Sequence, residues 1–141
     1  MSDIFFTIIT VCYNAENQIE KTINSVLNQS FKNYEYIIKD GKSTDKTLSI
    51  VNAFGQKDKR IKIISNEDSG IYDAMNQAVD LAKGIYVYFL NAGDCLHDNN
   101  VLERVDDYAK KLKKDVLYGN IIQQITSSPI IREYKKVCSS K

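Results

Sequence analysis

The sequence predicts an α/β protein with a mostly parallel sheet and helices on both faces. Short segments rich in β-branched and aromatic residues alternate with longer segments whose apolar residues recur every three or four positions. Strands and helices that alternate along a chain form right-handed crossovers, which build parallel sheets. Four of the apolar segments also end in small polar residues, as expected at the ligand-binding edge of such a sheet.

Composition narrows the class of protein. The chain has 141 residues, 43% of them hydrophobic, and no internal repeat, so we expect a single domain over residues 1–141. The net charge of +1, with interspersed signs, argues against a nucleic-acid partner. No apolar run approaches the roughly 18 residues of a membrane span and no signal sequence is visible. We therefore expect a cytoplasmic protein, one able to work at the inner face of the membrane.

Cysteine and histidine offer little predicted chemistry. The three cysteines, Cys12, Cys95 and Cys138, form no CxxC pair, which argues against a disulfide framework or a zinc site. His97 is the single histidine, so histidine-based metal sites and Ser-His-Asp catalysis are also disfavoured.

The first two strand and helix pairs follow from local patterns. Strands are predicted at residues 4–11 and 34–39, and a helix from about residue 15 to residue 30, with Asn14 placed to cap its start. The next helix carries an apolar stripe, and its end is expected near Gly55. Either Ser43 or Asp45 can cap that helix at its start.

Residues 61–64 predict a short third strand, and the helix that follows is expected to run from residue 71 to Gly84. Residues 85–90 are six consecutive apolar or aromatic residues. A half-exposed strand would alternate with polar positions, so this run predicts a fourth strand that is covered on both faces.

The last third of the chain has a weaker pattern. A helix is predicted at residues 101–112 and a fifth strand at residues 116–118. Residues 121–125 and 130–134 predict a hairpin, and residues 135–141 are expected to fray.

Four polar clusters fall on one edge of the predicted sheet, at residues 10–14, 40–45, 66–73 and 91–94. This density of small polar residues predicts a ligand-binding rim. The six glycines are too scattered for a phosphate-binding loop. A bound phosphate would therefore need another counter-charge, which a divalent cation on Asp94 would provide.

These clusters resemble the family 2 glycosyltransferases, which have the GT-A nucleotide-sugar-binding fold. The matching segments, in the family's order and spacing over roughly residues 4–120, are TVCYN at 10–14, DGKSTD at 40–45, DSGIYDAMN at 68–76 and LNAGD at 90–94. The resemblance implies that Asp40 accepts a hydrogen bond from the nucleobase and that Thr10 and Tyr13 line the base and ribose pocket. The expected nucleotide-sugar-binding set is completed by Asn14, Asp73 and Asn91.

The chain departs from the family pattern at three positions. Asn91 and Gly93 stand where the family's DxD motif usually has aspartate, so Asp94 is the remaining carboxylate for Mn²⁺ or Mg²⁺. Lys42 stands where a glycine is more usual. Local structural roles also remain open for several site residues: Asp40 as a turn former, Asp45 as a helix cap, and Asp73 as an acid favoured by the helix dipole.

The resemblance implies an inverting glycosyltransferase in cell-surface polysaccharide or glycan synthesis. Its donor would be a nucleotide-diphospho-sugar, with a UDP-sugar favoured, and its acceptor a hydroxyl of a glycan or lipid-linked molecule. Two alternatives stay open: a non-catalytic nucleotide-sugar-binding module, and a nucleotidyltransferase, which would need a basic diphosphate clamp.

Family members continue well past the equivalent of Tyr118, and that segment carries the catalytic base. After Tyr118 the chain has only one acidic residue, Glu133, next to basic residues that would not raise its pKa, so the catalytic base is unassigned. We therefore expect a truncated enzyme that lacks most of the acceptor site, holds a nucleotide sugar, and transfers the sugar very slowly or not at all. An uncovered apolar surface would also favour homo-oligomers.

Overall fold

The computed structural model describes residues 3–117, 119, 121–125 and 128–132. Its elements in chain order are β1 (Phe6–Cys12), α1 (Ile19–Leu27), β2 (Tyr34–Asp40), α2 (Thr47–Lys57), β3 (Ile61–Ser65), α3 (Ile71–Val79), β4 (Tyr86–Phe89), α4 (Val101–Leu112), β5 (Ile121–Ile125) and β6 (Ser128–Arg132). The chain divides into two compact units, Met1–Glu103 and Arg104–Lys141.

The first unit contains a parallel sheet with the strand order β3-β2-β1-β4. The register places Ile8 of β1 opposite Tyr36 of β2 on one side and Tyr88 of β4 on the other. The chain therefore moves outward from β1 to β3 and then returns to the opposite side of β1. Such a reversal opens a crevice between the carboxyl ends of the two strands that flank it, here β1 and β4.

Helices cover both faces of this sheet, as predicted. On one face, Ala74 and Ala78 of α3 pack against Ile9, Val11 and Ile37. Side chains alternate between the faces of a strand, so even-numbered residues of β1 and β2 point to the opposite face. There α1 is joined to the sheet by a hydrogen bond from the Tyr34 hydroxyl to the Val26 carbonyl (3.0 Å), and α2 packs on β3.

Two glycines do not end helices as predicted. Gly55 lies inside α2. The helix packs closely on β3 at this position, where an added Cβ would lie 2.6 Å from Cδ1 of Ile63. The helix α3 ends at Val79, before Gly84. Gly84 instead packs against β1, where an added Cβ would lie 2.6 Å from the carbonyl carbon of Phe6.

The position of β4 corrects the prediction that this strand is covered on both faces. Among the described residues it is an edge strand, and the side chains of Val87, Tyr88 and Phe89 are 39%, 44% and 39% exposed. Both faces are buried instead along β1 and β2, which occupy the centre of the sheet. An apolar run alone does not distinguish a central strand from an edge strand whose surface is apolar.

The helix α1 begins later than predicted, and Asn14 does not cap it. The helix starts at Ile19, and the residue before it makes no side-chain capping bond. Asn14 has a left-handed backbone (φ 47°), and its Oδ1 accepts a hydrogen bond from the Thr44 N–H at 2.9 Å. The side-chain oxygen of Asn14 therefore binds the loop after β2 and not the start of α1.

In the second unit, α4 carries an ion pair between Lys110 and Asp106 (2.6 Å), one helical turn apart. The predicted hairpin is confirmed as the antiparallel pair β5 and β6, with Gln123 opposite Ile130, but its second strand begins at Ser128 and not at residue 130. The predicted fifth strand is wrong at residues 116 and 117, which form no strand; Tyr118 and residues 133–141 lie outside the described residues. No helix in the described part of the chain is long and apolar enough to cross a membrane.

Glu35 of β2 links to β1 and β3 near the amino ends of these strands, at the end of the sheet opposite the predicted rim. Its buried carboxylate accepts hydrogen bonds from the Thr7 hydroxyl (2.7 Å) and the Lys83 backbone N–H (2.5 Å), and it pairs with Lys62. Burial raises the pKa of this carboxyl, but these hydrogen bonds outweigh burial and hold the pKa below its ordinary 4.5.

Replacing Glu35 with glutamine is therefore expected to lower the free energy of unfolding at neutral pH, and the difference should shrink as the pH falls below 4.5. A carboxyl whose pKa is lowered by folding contributes stability above its unfolded pKa and loses it as the folded carboxyl is protonated. Denaturant titrations near pH 7 and about pH 3.5 measure this. Glu20→Gln, at an exposed position of α1, is the matched control; an equal deficit of Glu35→Gln at both pH values would contradict the expectation.

Candidate functional site

A cleft of about 270 Å³ opens at the carboxyl ends of β1 and β4, where the strand order reverses. Its walls come from the end of β1 and the turn before α1, from the first residue of α3, and from the segment after β4. The lining residues are Val11, Cys12, Tyr13, Asn14, Ala15, Asn17, Gln18, Ile71, Asn91 and Ala92.

Among the residues that the structure describes, none that lines the cleft has a formally charged side chain. Four of its residues are amides, Asn14, Asn17, Gln18 and Asn91, and amides both donate and accept hydrogen bonds. Burial, and then the nearby Asp40 charge, raise the pKa of the Cys12 thiol to about 12, so it stays protonated and is no nucleophile at neutral pH. The cleft can therefore recognise a ligand with hydroxyl and amide groups.

The exposed rim of the cleft is built from two loops that are joined by hydrogen bonds. The Asn14 N–H donates to the Ser43 hydroxyl (2.9 Å), and the Ala15 N–H donates to the Thr47 hydroxyl (2.7 Å). Tyr13, which precedes these contacts, is 63% exposed and presents its ring at the mouth of the cleft. The loops after β1 and β2 thus support each other and hold Tyr13 and Asn14 in place.

Asp45 belongs to the same join and binds the first residue of α2, but the capping position of that helix is Lys46, which makes no side-chain capping bond, so neither Ser43 nor Asp45 is the cap as predicted. Its Oδ1 accepts from the Thr47 N–H at 2.9 Å, and its Oδ2 accepts from the Glu16 N–H at 3.1 Å. In turn, the Glu16 carboxylate accepts a hydrogen bond from the Lys46 N–H (2.9 Å). This reciprocal pattern fixes the starts of α1 and α2 relative to each other.

Asp40, which ends β2, is fully buried and lies beneath the rim. Its carboxylate accepts hydrogen bonds from the Ser43 N–H (3.1 Å), the Ser43 hydroxyl and the Ser65 hydroxyl (2.8 Å). Because Ser43 in turn accepts from the Asn14 N–H, Asp40 reaches the cleft wall through Ser43. Direct contact between Asp40 and a nucleobase stays a prediction.

The backbone of Lys42 gives a physical reason for the glycine that is more usual at this position. Lys42 has φ 62°, in the left-handed region that glycine adopts without a steric penalty. The turn after β2 therefore requires this conformation, and the chain adopts it with a lysine.

The lining of the cleft does not include four of the predicted site residues: Asp40, Asp94, Thr10 and Asp73. The Thr10 hydroxyl is buried below it and donates to the Leu90 carbonyl (2.6 Å), with the Tyr36 hydroxyl at 2.8 Å, so it ties β1 to the end of β4. The Asp73 carboxylate accepts from the Ser69 N–H (2.9 Å) and closes the first turn of α3.

The segment after β4 carries an amide oxygen in the cleft wall and, three residues on, a carboxylate. Among the described residues, Oδ1 of Asn91 is buried without a hydrogen-bond partner, in the cleft wall. Asp94, two residues past the lining residue Ala92, is exposed; burial and then the charge of Asp94 raise the pKa of Tyr88. In the described part of the chain, no three His, Cys, Asp or Glu residues gather into a metal-binding group. The unpartnered amide oxygen of Asn91 and the carboxylate of Asp94, three residues on, are nevertheless the kind of ligand that a hard cation binds while it keeps part of its water.

Sequence reasoning missed several residues of the site. Asn17 and Gln18 line the cleft, and their signal was position, since they lie just before α1 and close to the predicted cluster at 10–14. Ile71 also lines the cleft; it lies within the predicted cluster at 66–73 but was not named as a site residue. Lys39, a charged residue within an apolar strand, was also passed over, although such a residue must find partners inside the protein.

Comparison with protein families gives a match to a model described as glycosyl transferase family 2, over residues 7–137. A PGL/p-HBAD biosynthesis glycosyltransferase of Mycobacterium bovis is 35% identical over 129 residues, which is 90% of this chain and 50% of that protein. The putative teichuronic acid biosynthesis glycosyltransferase TuaG of Bacillus subtilis is 43% identical over 89 residues, 62% of this chain and 35% of that protein. The chain thus spans about half the length, or less, of these curated relatives.

Solved structures with the same fold include a 1–349 segment of S. aureus TarS in complex with UDP-GlcNAc. It superposes with a TM-score of 0.80 at 25% identity, over 89% of this chain and 36% of that one. The mannosyltransferase PcManGT of Pyrobaculum calidifontis, solved with GDP-Man and Mn²⁺, has a TM-score of 0.70 at 22% identity, over 77% and 33% of the two chains, a likeness of fold. Both likenesses bear out the predicted GT-A fold.

Proposed function

Because the chain belongs to glycosyl transferase family 2, we propose that it forms the nucleotide-sugar-binding part of a glycosyltransferase. The observation that carries this proposal is the uncharged, amide-lined cleft at the carboxyl ends of β1 and β4. Ligands of open α/β sheets bind at this point of strand reversal. The likeness to TarS, which was solved with UDP-GlcNAc, supports a UDP-sugar as the donor.

In the proposed reaction, a hydroxyl of a glycan or lipid-linked acceptor attacks the anomeric carbon of the donor sugar. The new carbon–oxygen bond forms with inversion as the bond to the diphosphate breaks, and the hydroxyl proton passes to a general base. The nucleoside diphosphate departs with the bonding electrons. The relatives named for cell-surface products support polysaccharide or glycolipid synthesis as the setting.

In this proposal, different residues of the cleft bind different parts of the donor. The exposed ring of Tyr13 packs against the base and ribose, since an aromatic ring offers a large apolar face with a polar tip. The amides of Asn14 and Asn17 hydrogen-bond to ribose or sugar hydroxyls. Asp40 contributes mainly by holding Ser43, and through it the rim.

A divalent cation, Mn²⁺ or Mg²⁺, would be held by the Asp94 carboxylate and the Asn91 amide oxygen. When bound, it supplies positive charge that stabilises the leaving diphosphate. The unpartnered Oδ1 of Asn91 supports this set of oxygens. Asp94 is exposed and follows the lining residue Ala92 by two positions, so its carboxylate is available to a diphosphate that extends beyond the cleft.

Calorimetry with uridine, UDP, GDP and ADP, each with and without Mn²⁺, tests the binding part of the proposal. We expect UDP to bind more tightly than GDP or ADP, and the cation to strengthen UDP binding but not uridine binding. A chain that binds none of these nucleotides, or all of them equally, would refute the assignment.

Transfer is tested separately with UDP-sugars and hydroxyl acceptors, following both UDP release and glycoside formation. Product at an ordinary enzymatic rate, roughly 1 per second, would show that residues 1–141 contain a complete site. Tight UDP-sugar binding without product would favour the alternative of a binding module, and release of UDP without glycoside would indicate hydrolysis.

A further inference from the structure

Lys39, near the carboxyl end of β2, is a lysine with 0% exposure. Its ammonium donates to three oxygens: the Asp40 carbonyl (3.2 Å), the Asn66 carbonyl (2.7 Å) and Oδ2 of Asp68 (2.8 Å). An ammonium has three N–H donors, so each donor has an acceptor. This complete set of partners allows the charge to remain inside the protein.

Two of those three acceptors belong to residues 66–70, here called the 66–70 loop, which joins β3 to α3. If the loop moved away, the ammonium of Lys39 would keep only the Asp40 carbonyl as a partner. A buried charge that loses its counter-charge is strongly unfavourable. Lys39 therefore ties the loop to the sheet.

Asp68 carries this restraint to the cleft. Its Oδ2 stands over Gly41, where an added Cβ would lie 2.9 Å from that oxygen and 3.5 Å from Cδ2 of Tyr13. Its Oδ1 accepts from the Gly70 N–H (3.2 Å), and the next residue, Ile71, lines the cleft. One carboxylate thus links the buried lysine to the neighbourhood of two residues of the cleft wall.

We propose that Lys39 is a positioning residue for the cleft: by holding Asp68, it fixes where Tyr13 and Ile71 stand and so sets the affinity for nucleotide. The inference rests on the proposed function, because nucleotide affinity is its main readout. Lys39 is not a lining residue of the cleft, so it acts through the 66–70 loop.

The test uses Lys39→Met, Asp68→Asn and the double variant, with UDP affinity measured by calorimetry on folded protein. Each single change is expected to weaken UDP binding about tenfold, a scale typical of coupling through a packed network. The double variant should bind no more weakly than the single ones, because all three lose the same contact. Should Lys39→Met fail to fold, the double variant, which removes both charges together, carries the test.

Lys62→Met is the matched control, since it breaks the buried Glu35 ion pair at the other end of the sheet. It should lower stability yet leave the UDP affinity within about twofold of the parent. Hydrogen exchange supplies a second readout: the Gly70 amide should exchange faster in Lys39→Met and unchanged in Lys62→Met.

The outcomes distinguish a failure of the proposed function from a failure of the role proposed for Lys39. A parent chain that binds no nucleotide overturns the proposed function, and this inference with it. A parent that binds UDP, with Lys39→Met or the double variant binding it equally well, overturns the inference alone. Equal losses of affinity in Lys39→Met and Lys62→Met would also overturn it, because they would show a general loss of stability.

Discussion

Replacing Asp40 with alanine is expected to lower the free energy of unfolding by about 3 kcal/mol and to abolish measurable UDP binding. The carboxylate is fully buried, and its removal leaves the Ser43 N–H, the Ser43 hydroxyl and the Ser65 hydroxyl without their acceptor. Ser43 would then no longer hold the Asn14 N–H, so the cleft wall would shift with the lost stability. Denaturant unfolding and UDP calorimetry measure the two effects.

Ser65→Ala separates these effects, because it removes the hydrogen bond that Asp40 accepts from β3 and leaves the hydrogen bonds from Ser43 in place. We expect it to cost about 1 kcal/mol of stability and to leave UDP affinity unchanged. Parent-like stability and UDP affinity in Asp40→Ala would show that the buried network does not support the rim. Parent-like affinity with reduced stability would limit Asp40 to a structural role.

Replacing Asp94 with asparagine is expected to remove the gain in UDP affinity that Mn²⁺ provides, while uridine affinity stays at the parent level. A charge-assisted contact contributes about 1.5–3 kcal/mol, so the loss in the presence of Mn²⁺ should be roughly tenfold to a hundredfold. Uridine is unaffected because only the phosphates share the cation. Equal Mn²⁺ dependence in the parent and Asp94→Asn would exclude this residue as a ligand.

Two companion changes sharpen this experiment. Asn91→Asp replaces the unpartnered amide oxygen with a carboxylate and should increase the Mn²⁺ dependence. Gly93→Asp should not restore a metal site in the same way. Gly93 has φ 100°, a strained conformation for any side chain, and an added Cβ would lie 2.8 Å from Oε1 of Gln18.

The layers of the fold could be predicted from sequence because their signals are local and repeated. Apolar periodicity identified the strands and helices of the parallel sheet, and their alternation predicted its topology class. The place of each strand in the sheet is a long-range property, and here the prediction failed. Residues 85–90 are more apolar than β2, yet β2 lies in the centre of the sheet, paired with β1 on one side and with β3 on the other.

The candidate site could be predicted as an edge of the sheet but not as a set of contacts. Strand ends brought Tyr13, Asn14 and Asn91 together, as expected for parallel strands. Thr10 could not be placed below the cleft, since its burial depends on the Tyr36 hydroxyl, far away in sequence. The Lys39 and Asp68 pair has the same origin, because its residues meet only once β3 and the 66–70 loop have folded against β2.

The close approach of Gly84 to β1 has a consequence for how alignments of related chains should be interpreted. A Cβ at this position would press on the backbone of a central strand, and that strand cannot retreat because its other neighbours hold it. Purifying selection would therefore keep position 84 invariant, although the residue lies at the end of the sheet away from the cleft. Invariance at position 84 would reflect steric crowding between two backbone segments. A ranking of positions by conservation alone would wrongly assign it a catalytic or binding role.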